Sequence, residues 1–308
     1  MKAVSHLEAA MWTPADRALV GDFGSGQALT DDQFRLLEPL IPPARPGGRP
    51  RSTDMRNLLD GLFYLVRTGC QWRHLPPPPA FPPWSTVYGY MRAFLQDGMW
   101  ESIRHHLVVM LREGAGREAS PTATIVDTQS VKTTESGGPR GWDAAKRLKG
   151  RKRQVAVDTD GLLLGILVHA ADIQDADGLG DLLQRIKPLY PWLRAVFADS
   201  IYNRLTAMLA CFLFGLTLII VRRVAGSTGF VVQPRRWVVE RVRGMPRTGW
   251  LGRWRRLSKD YEALPEVSET MVTLAMIRLM LHRLAATGSA ALVSLVSGIS
   301  RPPAQAWL

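Results

Sequence analysis

Apolar residues recur along this chain with two periods, and the change from one to the other falls near residue 120. Thr30-Asp31-Asp32-Gln33 reads as a capping box ahead of a short helix with Phe34, Leu36, Leu37 and Leu40 as its apolar set, and Pro42-Pro43 ends it. Ser52 is placed to cap a longer helix, in which Met55, Leu58, Leu59, Leu62, Phe63 and Val66 return every three or four residues before Gly69 closes it. Trp72-Arg73-His74-Leu75 and a proline-rich link through Pro83 lead to a third helix, capped by Ser85 and running from Thr86 to Phe94. A fourth spans Trp100 to Arg112, and Glu113-Gly114-Ala115-Gly116-Arg117 marks a boundary.

From residue 122 the pattern is that of strands. Thr122 to Asp127 and Arg153 to Asp158 each read as a strand ending in an acid, and Asp160-Gly161 is a turn dipeptide before Leu162 to Val168, so the latter two strands form a hairpin. A helix around Asp177 to Ile186, a buried strand from Ala195 to Asp199, an apolar helix, a strand from Leu216 to Val221 and a final segment carrying Glu240 on a helix complete the series. The fold class expected is α/β, a mixed sheet with flanking helices. The uncharged stretch Leu205 to Val221 is shorter than the ~20 residues of a spanning helix and is interrupted by Gly215, so it reads as a buried helix and a buried strand, with no membrane association.

At 308 residues there is room for two domains of roughly 100 to 200 residues each. We divide the chain into a loose leader (1–28), a helical domain (29–115), a sheet domain (120–285) and a tail (286–308). With 46% hydrophobic and 21% charged residues the chain is expected to fold, and the start of the sequence has no export signal. The 39 Lys plus Arg against 27 Asp plus Glu give a net charge of +12, which points to a polyanionic partner. Two cysteines, Cys70 and Cys211, exclude a disulfide framework, and neither the histidine spacing nor any nucleophile elbow, Walker or dinucleotide fingerprint suggests other chemistry. The first helices with their basic link suit a helix-turn-helix that places its last helix in the major groove, or a plain bundle whose aromatics are core.

Asp127 and Asp199 stand where side chains leave a sheet, and two acids on neighbouring strands repel unless a cation sits between them. Glu240 could complete a site for in-line displacement at phosphorus, while Asp158, Asp160, Asp172, Asp175 and Asp177 are rivals that periodicity does not exclude. Basic runs flank the acids, from Arg140 to Arg153 in a loop entering the second strand and from Arg235 to Lys259, the latter interleaved with Trp237, Trp250 and Trp254. They read as phosphate contacts and stacking platforms, or as a solvated face and core tryptophans. The turn-rich connector holding Arg45, Arg49 and Arg51 likewise suits a phosphate backbone or a plain linker.

In order and spacing, several stretches resemble bacterial insertion-sequence transposases of the DDE type, in the family named after insertion sequence five. They are Pro42 to Pro50, Arg67-Thr68-Gly69-Cys70-Gln71-Trp72-Arg73, Pro82 to Tyr88, Asp127-Thr128-Gln129-Ser130-Val131-Lys132, Lys149 to Arg153, Asp199-Ser200-Ile201-Tyr202 and Arg235 to Arg241, within a match running from Leu29 to about Leu284. The resemblance implies a ribonuclease-H-like catalytic domain preceded by a helical DNA-binding domain, with Asp127, Asp199 and Glu240 as catalytic, metal-binding residues. It implies two Mg²⁺ ions, with Mn²⁺ as a substitute, and cleavage and strand transfer at inverted-repeat ends. The DNA contacts expected are Arg45, Arg49, Arg51, Arg73, Lys149, Arg151, Lys152, Arg153, Arg235, Arg236, Trp237 and Arg241. Partners are double-stranded DNA ends and target DNA, bound by a homo-oligomer in the bacterial cytoplasm at the nucleoid. The chain departs from the family at Gln233, where a tyrosine is usual, in the apolar Met208 to Phe214, and in about five extra residues after Glu240 that include Gly244 and Pro246. The alternative is therefore a DNA-binding relic whose catalysis is impaired.

Overall fold

Residues 28–44, 50–221 and 251–286 are described by the computed structural model. Helix α1 (Asp31–Leu37) opens on the expected capping box: Thr30 Oγ1 accepts from the Gln33 amide and Gln33 Oε1 from the Thr30 amide, both at 3.2 Å. Helix α2 (Met55–Thr68) is capped by Asp54 and not by Ser52. The Asp54 carboxylate accepts from the Arg56 and Asn57 amides at 2.9 and 3.2 Å, whereas Ser52 stands two residues too early to reach them. Gly69 ends the helix at φ 70°, as its position implies. Helix α3 (Trp84–Gln96) starts one residue before Ser85, with Pro83 in the cap position, and Asp97-Gly98 turns the chain into α4 (Met99–Gly114).

The sheet contains β1 (Ala123–Lys132), β2 (Gly141–Asp143), β3 (Leu148–Val157), β4 (Leu163–Ala170), β5 (Ala195–Ala198) and β6 (Thr217–Ile220). Its order is β2-β3-β1-β5-β6, and β4 pairs with β3 further along. The β3–β4 hairpin forms through the Asp160-Gly161 turn, β1 and β3 are antiparallel, and β1, β5 and β6 are parallel. Helices α5 (Leu179–Ile186), α6 (Leu205–Leu213) and α7 (Pro265–Ala286) complete the described elements. The result is the expected α/β class: a helical region, then a mixed sheet flanked by helices, consistent with a ribonuclease-H-like arrangement. Helix α7 has apolar residues all round, and packs against α1, α2, α3 and α4 as well as β4. Leu62, Trp100, Ile166, Leu274 and Ile277 thereby belong to one continuous core.

Three expectations are corrected. Strand β1 runs five residues past Asp127, because Thr128 to Lys132 find an antiparallel partner in Gly150 to Gln154. Lys149, Arg151 and Lys152 lie in β3 and not in a loop. The apolar helix α6 is not buried: it covers only Ala207, Ala210 and Cys211, while Leu205, Leu209, Phe212 and Leu213 are exposed, and the edge strand β6 is only partly covered. No helix among the described residues is long and apolar enough to cross a membrane.

Candidate metal centre

The parallel pairing of β1 with β5 ends at Ile125 opposite Phe197, two residues before Asp127 on one strand and Asp199 on the other. Asp127 is buried within β1, and its Oδ1 accepts from the Thr128 amide at 2.8 Å. Asp199 follows β5 directly and caps the short turn Ser200–Tyr202, its Oδ1 accepting from the Ile201 amide at 3.0 Å. Both line one small cleft with Ile125, Phe197 and Val221, whose volume of about 10 Å³ admits a single water-sized sphere. Two carboxylates converging on such a cleft repel unless a cation joins them, and hard oxygen donors suit Mg²⁺ or Mn²⁺. These two residues therefore fit a divalent ion. The third proposed ligand, Glu240, lies outside the described residues, and among the described residues no group of three acidic, His or Cys side chains is placed to hold a metal.

Behind the acids lies a polar network that sequence reasoning missed. The buried Tyr202 hydroxyl is 2.7 Å from Thr128 Oγ1 and accepts from Gln154 Nε2 at 2.9 Å, and the same amide donates to the Asp175 carbonyl at 2.8 Å. Because Gln154 donates to the tyrosine, the hydroxyl's own hydrogen is available for Thr128. Burial pushes the Tyr202 pKa far up, so it keeps that hydrogen. The signals were available in Tyr202, three residues after Asp199, and in Thr128, next to Asp127, but nothing in the sequence joins them to Gln154.

Three of the rival acids have other occupations. Asp158 is fully buried, holds the hairpin turn through the Asp160 and Leu162 amides, and pairs with Arg112 at 2.5 Å; burial raises its pKa. Asp160 pairs with Arg117, and Asp175 with Lys152 at 2.8 Å.

The basic candidates divide in the same way. Arg73 and Lys149 are exposed, and Arg73 lies over the Trp84 ring at 5.6 Å. Arg51 donates to the Pro42 carbonyl at 2.7 Å. The structure corrects the picture of Arg151, Lys152 and Arg153 as surface phosphate contacts, because all three are buried and committed within the chain. Arg151 donates to the Glu262 and Ala263 carbonyls at 2.8 and 2.6 Å and faces Asp260, Lys152 to the Ile173 carbonyl at 2.7 Å, and Arg153 to the Leu257 carbonyl at 2.7 Å. Trp254 is core, with the Arg67 guanidinium over its ring at 5.4 Å. Arg45, Arg49, Arg235, Arg236, Trp237, Arg241 and Trp250 lie outside the described residues.

Comparison with known proteins adds to this geometry. The family model described as a transposase DDE domain matches residues 118–280, more than half of the chain, and one described as a transposase of the IS4/5 family matches residues 29–104. The chain is 29% identical over 115 residues to the insertion element IS402 uncharacterized 16.2 kDa protein of Burkholderia cepacia, covering 35% of this chain and 76% of that protein. No solved structure matches.

Proposed function

The chain belongs to the family of transposase DDE domains, and from that membership we propose that it cuts DNA at the terminal inverted repeats of an insertion sequence and joins the freed ends to target DNA. DNA transposition is the activity of the family, and its domains generally use divalent metal ions and act on DNA. The observation that carries the finer reading is that Asp127 and Asp199 line one small cleft just beyond the paired part of β1 and β5.

In this reading Asp127, Asp199 and Glu240 hold two Mg²⁺ ions, with Mn²⁺ as a substitute. When bound, the ions supply activation of an attacking oxygen and stabilisation of the leaving oxygen at phosphorus. The remaining work belongs to the protein. Amide donors from Thr128 and Ile201 orient the two aspartates, and the buried strand pair beneath them fixes their separation. Residues 29–115 form the DNA-gripping domain, with Arg45, Arg49, Arg51 and Arg73 on the backbone of the ends. Residues 120–285 form the catalytic domain, where Lys149, Arg235, Arg236, Trp237 and Arg241 contact the strand being cut. The active form is a homo-oligomer on DNA at the nucleoid in the cytoplasm.

A second reading, a DNA-binding relic, is favoured by Gly244 and Pro246, two helix-breaking residues close behind Glu240. One assay separates the two: cleavage of a terminal-repeat duplex with Mg²⁺ by wild type beside Glu240→Gln. Cutting by wild type and none by the variant is the expected result. Salt-dependent binding without cutting by either protein replaces the first reading with the second.

A further inference from the structure

We infer that the cavity between the start of α4, strand β4 and the end of α5 is a binding site for a small organic anion that carries hydroxyl groups, with Arg104 and Glu101 as its two polar anchors. The cavity has a volume of about 290 Å³. That is about twice the 150 Å³ of an apolar cavity that takes one benzene, so it suits a guest of about a dozen non-hydrogen atoms. It shares no lining residue with the cleft of Asp127 and Asp199, and β3 stands between β4 and β1. The inference is therefore independent of the transposase reading.

Arg104 is the first observation. It lines the cavity and is only 3% exposed, yet its Nε has no hydrogen-bond partner and no carboxylate pairs with it among the described residues. Its titratable neighbours do not neutralise it. Burial pushes the Tyr190 phenol up to about 12, so that group stays uncharged, and the charge of Arg104 itself helps to hold His105 down at about 4. A buried guanidinium without a counter-charge is destabilising, and an anion seated in the cavity removes that penalty.

The start of α4 adds to the same sign. Gly98 occupies the cap position and lines the cavity, and no side chain caps this 16-residue helix, so its first amides are left for an external acceptor. Arg185 also lines the cavity but already pairs with Glu269 at 2.7 Å. Glu101 faces the same space one turn before Arg104, and no cation pairs with it among the described residues. Its carboxylate repels a bare anion and accepts from hydroxyl groups. An ammonium would suit Glu101 alone, but two arginines and a helix N-terminus around it disfavour a cation. Ile166 and Leu189 supply an apolar wall for a short carbon frame. The lining thus asks for an anionic group and hydroxyls on one small molecule.

The test is calorimetric titration of ribose 5-phosphate and of gluconate, with inorganic phosphate and ribose as half-ligands, into full-length wild type, Arg104→Met and Glu101→Gln, with thermal melts of each protein. Ribose 5-phosphate or gluconate, according to whether the site prefers a phosphate or a carboxylate, is expected to bind wild type, to raise its melting temperature and to outbind both half-ligands. Arg104→Met should bind that anion at least about tenfold more weakly. Without ligand it should melt no lower than wild type, because it loses an unpaired buried charge; an arginine that only holds the fold together gives a lower melt instead, which overturns the proposal. Glu101→Gln should narrow the preference for the hydroxylated anion over inorganic phosphate. Binding of both anions by wild type weaker than about 1 mM overturns the site, as do equal binding by Arg104→Met and a preference unchanged in Glu101→Gln. Inorganic phosphate bound as tightly as either anion leaves an adventitious ion only. DNA cleavage by wild type stands or falls separately from all of these results.

Discussion

The pairing of β5 with β1 runs as far as Phe197 opposite Ile125, and past it a side-chain bond ties β1 to the turn after β5, the Tyr202 hydroxyl lying 2.7 Å from Thr128 Oγ1. That bond lies one residue from Asp127 and three from Asp199, so it bears on the separation of the two carboxylates. Tyr202→Phe keeps the buried ring but leaves the Thr128 hydroxyl and part of the Gln154 amide unsatisfied, which should cost about 1–3 kcal/mol of stability. The more telling readout is the Mg²⁺ concentration for half-maximal DNA cleavage, which should rise in this variant. A metal titration superimposable on wild type, with only a lower melting temperature, would reduce Tyr202 to a packing role.

Among the elements, α4 joins the helical region to the sheet, and its His105 packs against Tyr190 with ring centroids 5.1 Å apart. Burial, helped by the neighbouring charges of His106 and Arg104, holds the His105 pKa down at about 4 from its usual 6.5. The unfolded chain therefore takes up a proton near pH 6.5 that the folded chain refuses until about pH 4, and this histidine's contribution to stability falls through that window as pH falls. Melting curves of wild type and His105→Gln should diverge in the variant's favour between pH 6.5 and 4. A constant difference across that range would contradict the assignment. The elements also show where local pattern reaches its limit. The Thr30 capping box, the Gly69 terminus, the hairpin at Asp160-Gly161 and the strand carrying Ala195 to Ala198 were legible because each is encoded within a few residues. The extension of β1 was not, since Thr128, Gln129 and Ser130 form strand only because β3 arrives some twenty residues later to pair with them. Arg151 and Arg153 looked like surface charges for a related reason: the carbonyls that receive them, at Glu262, Ala263 and Leu257, are more than a hundred residues away in sequence. The α6 face could not be foreseen either, because an apolar run does not reveal that its helix will lie at the margin of the sheet.

At the scale of the whole molecule, a single core built around α7 joins the helical region to a mixed sheet, and two acids far apart in sequence line one cleft where the parallel pairing of β1 with β5 gives out. Of the proposed triad, that convergence of Asp127 and Asp199 is the part the described residues contain, and it was legible from two apolar runs that each reach an acid. If these two carboxylates share a divalent ion, calorimetric titration of Mn²⁺ into wild type, Asp127→Asn and Asp199→Asn, each checked for folding by thermal melting, reads it out. Wild type is expected to bind Mn²⁺, and each folded variant to bind it at least about tenfold more weakly, the low end of what even an outer-shell substitution costs a metal site. Equal Mn²⁺ affinity in wild type and both folded variants would contradict it.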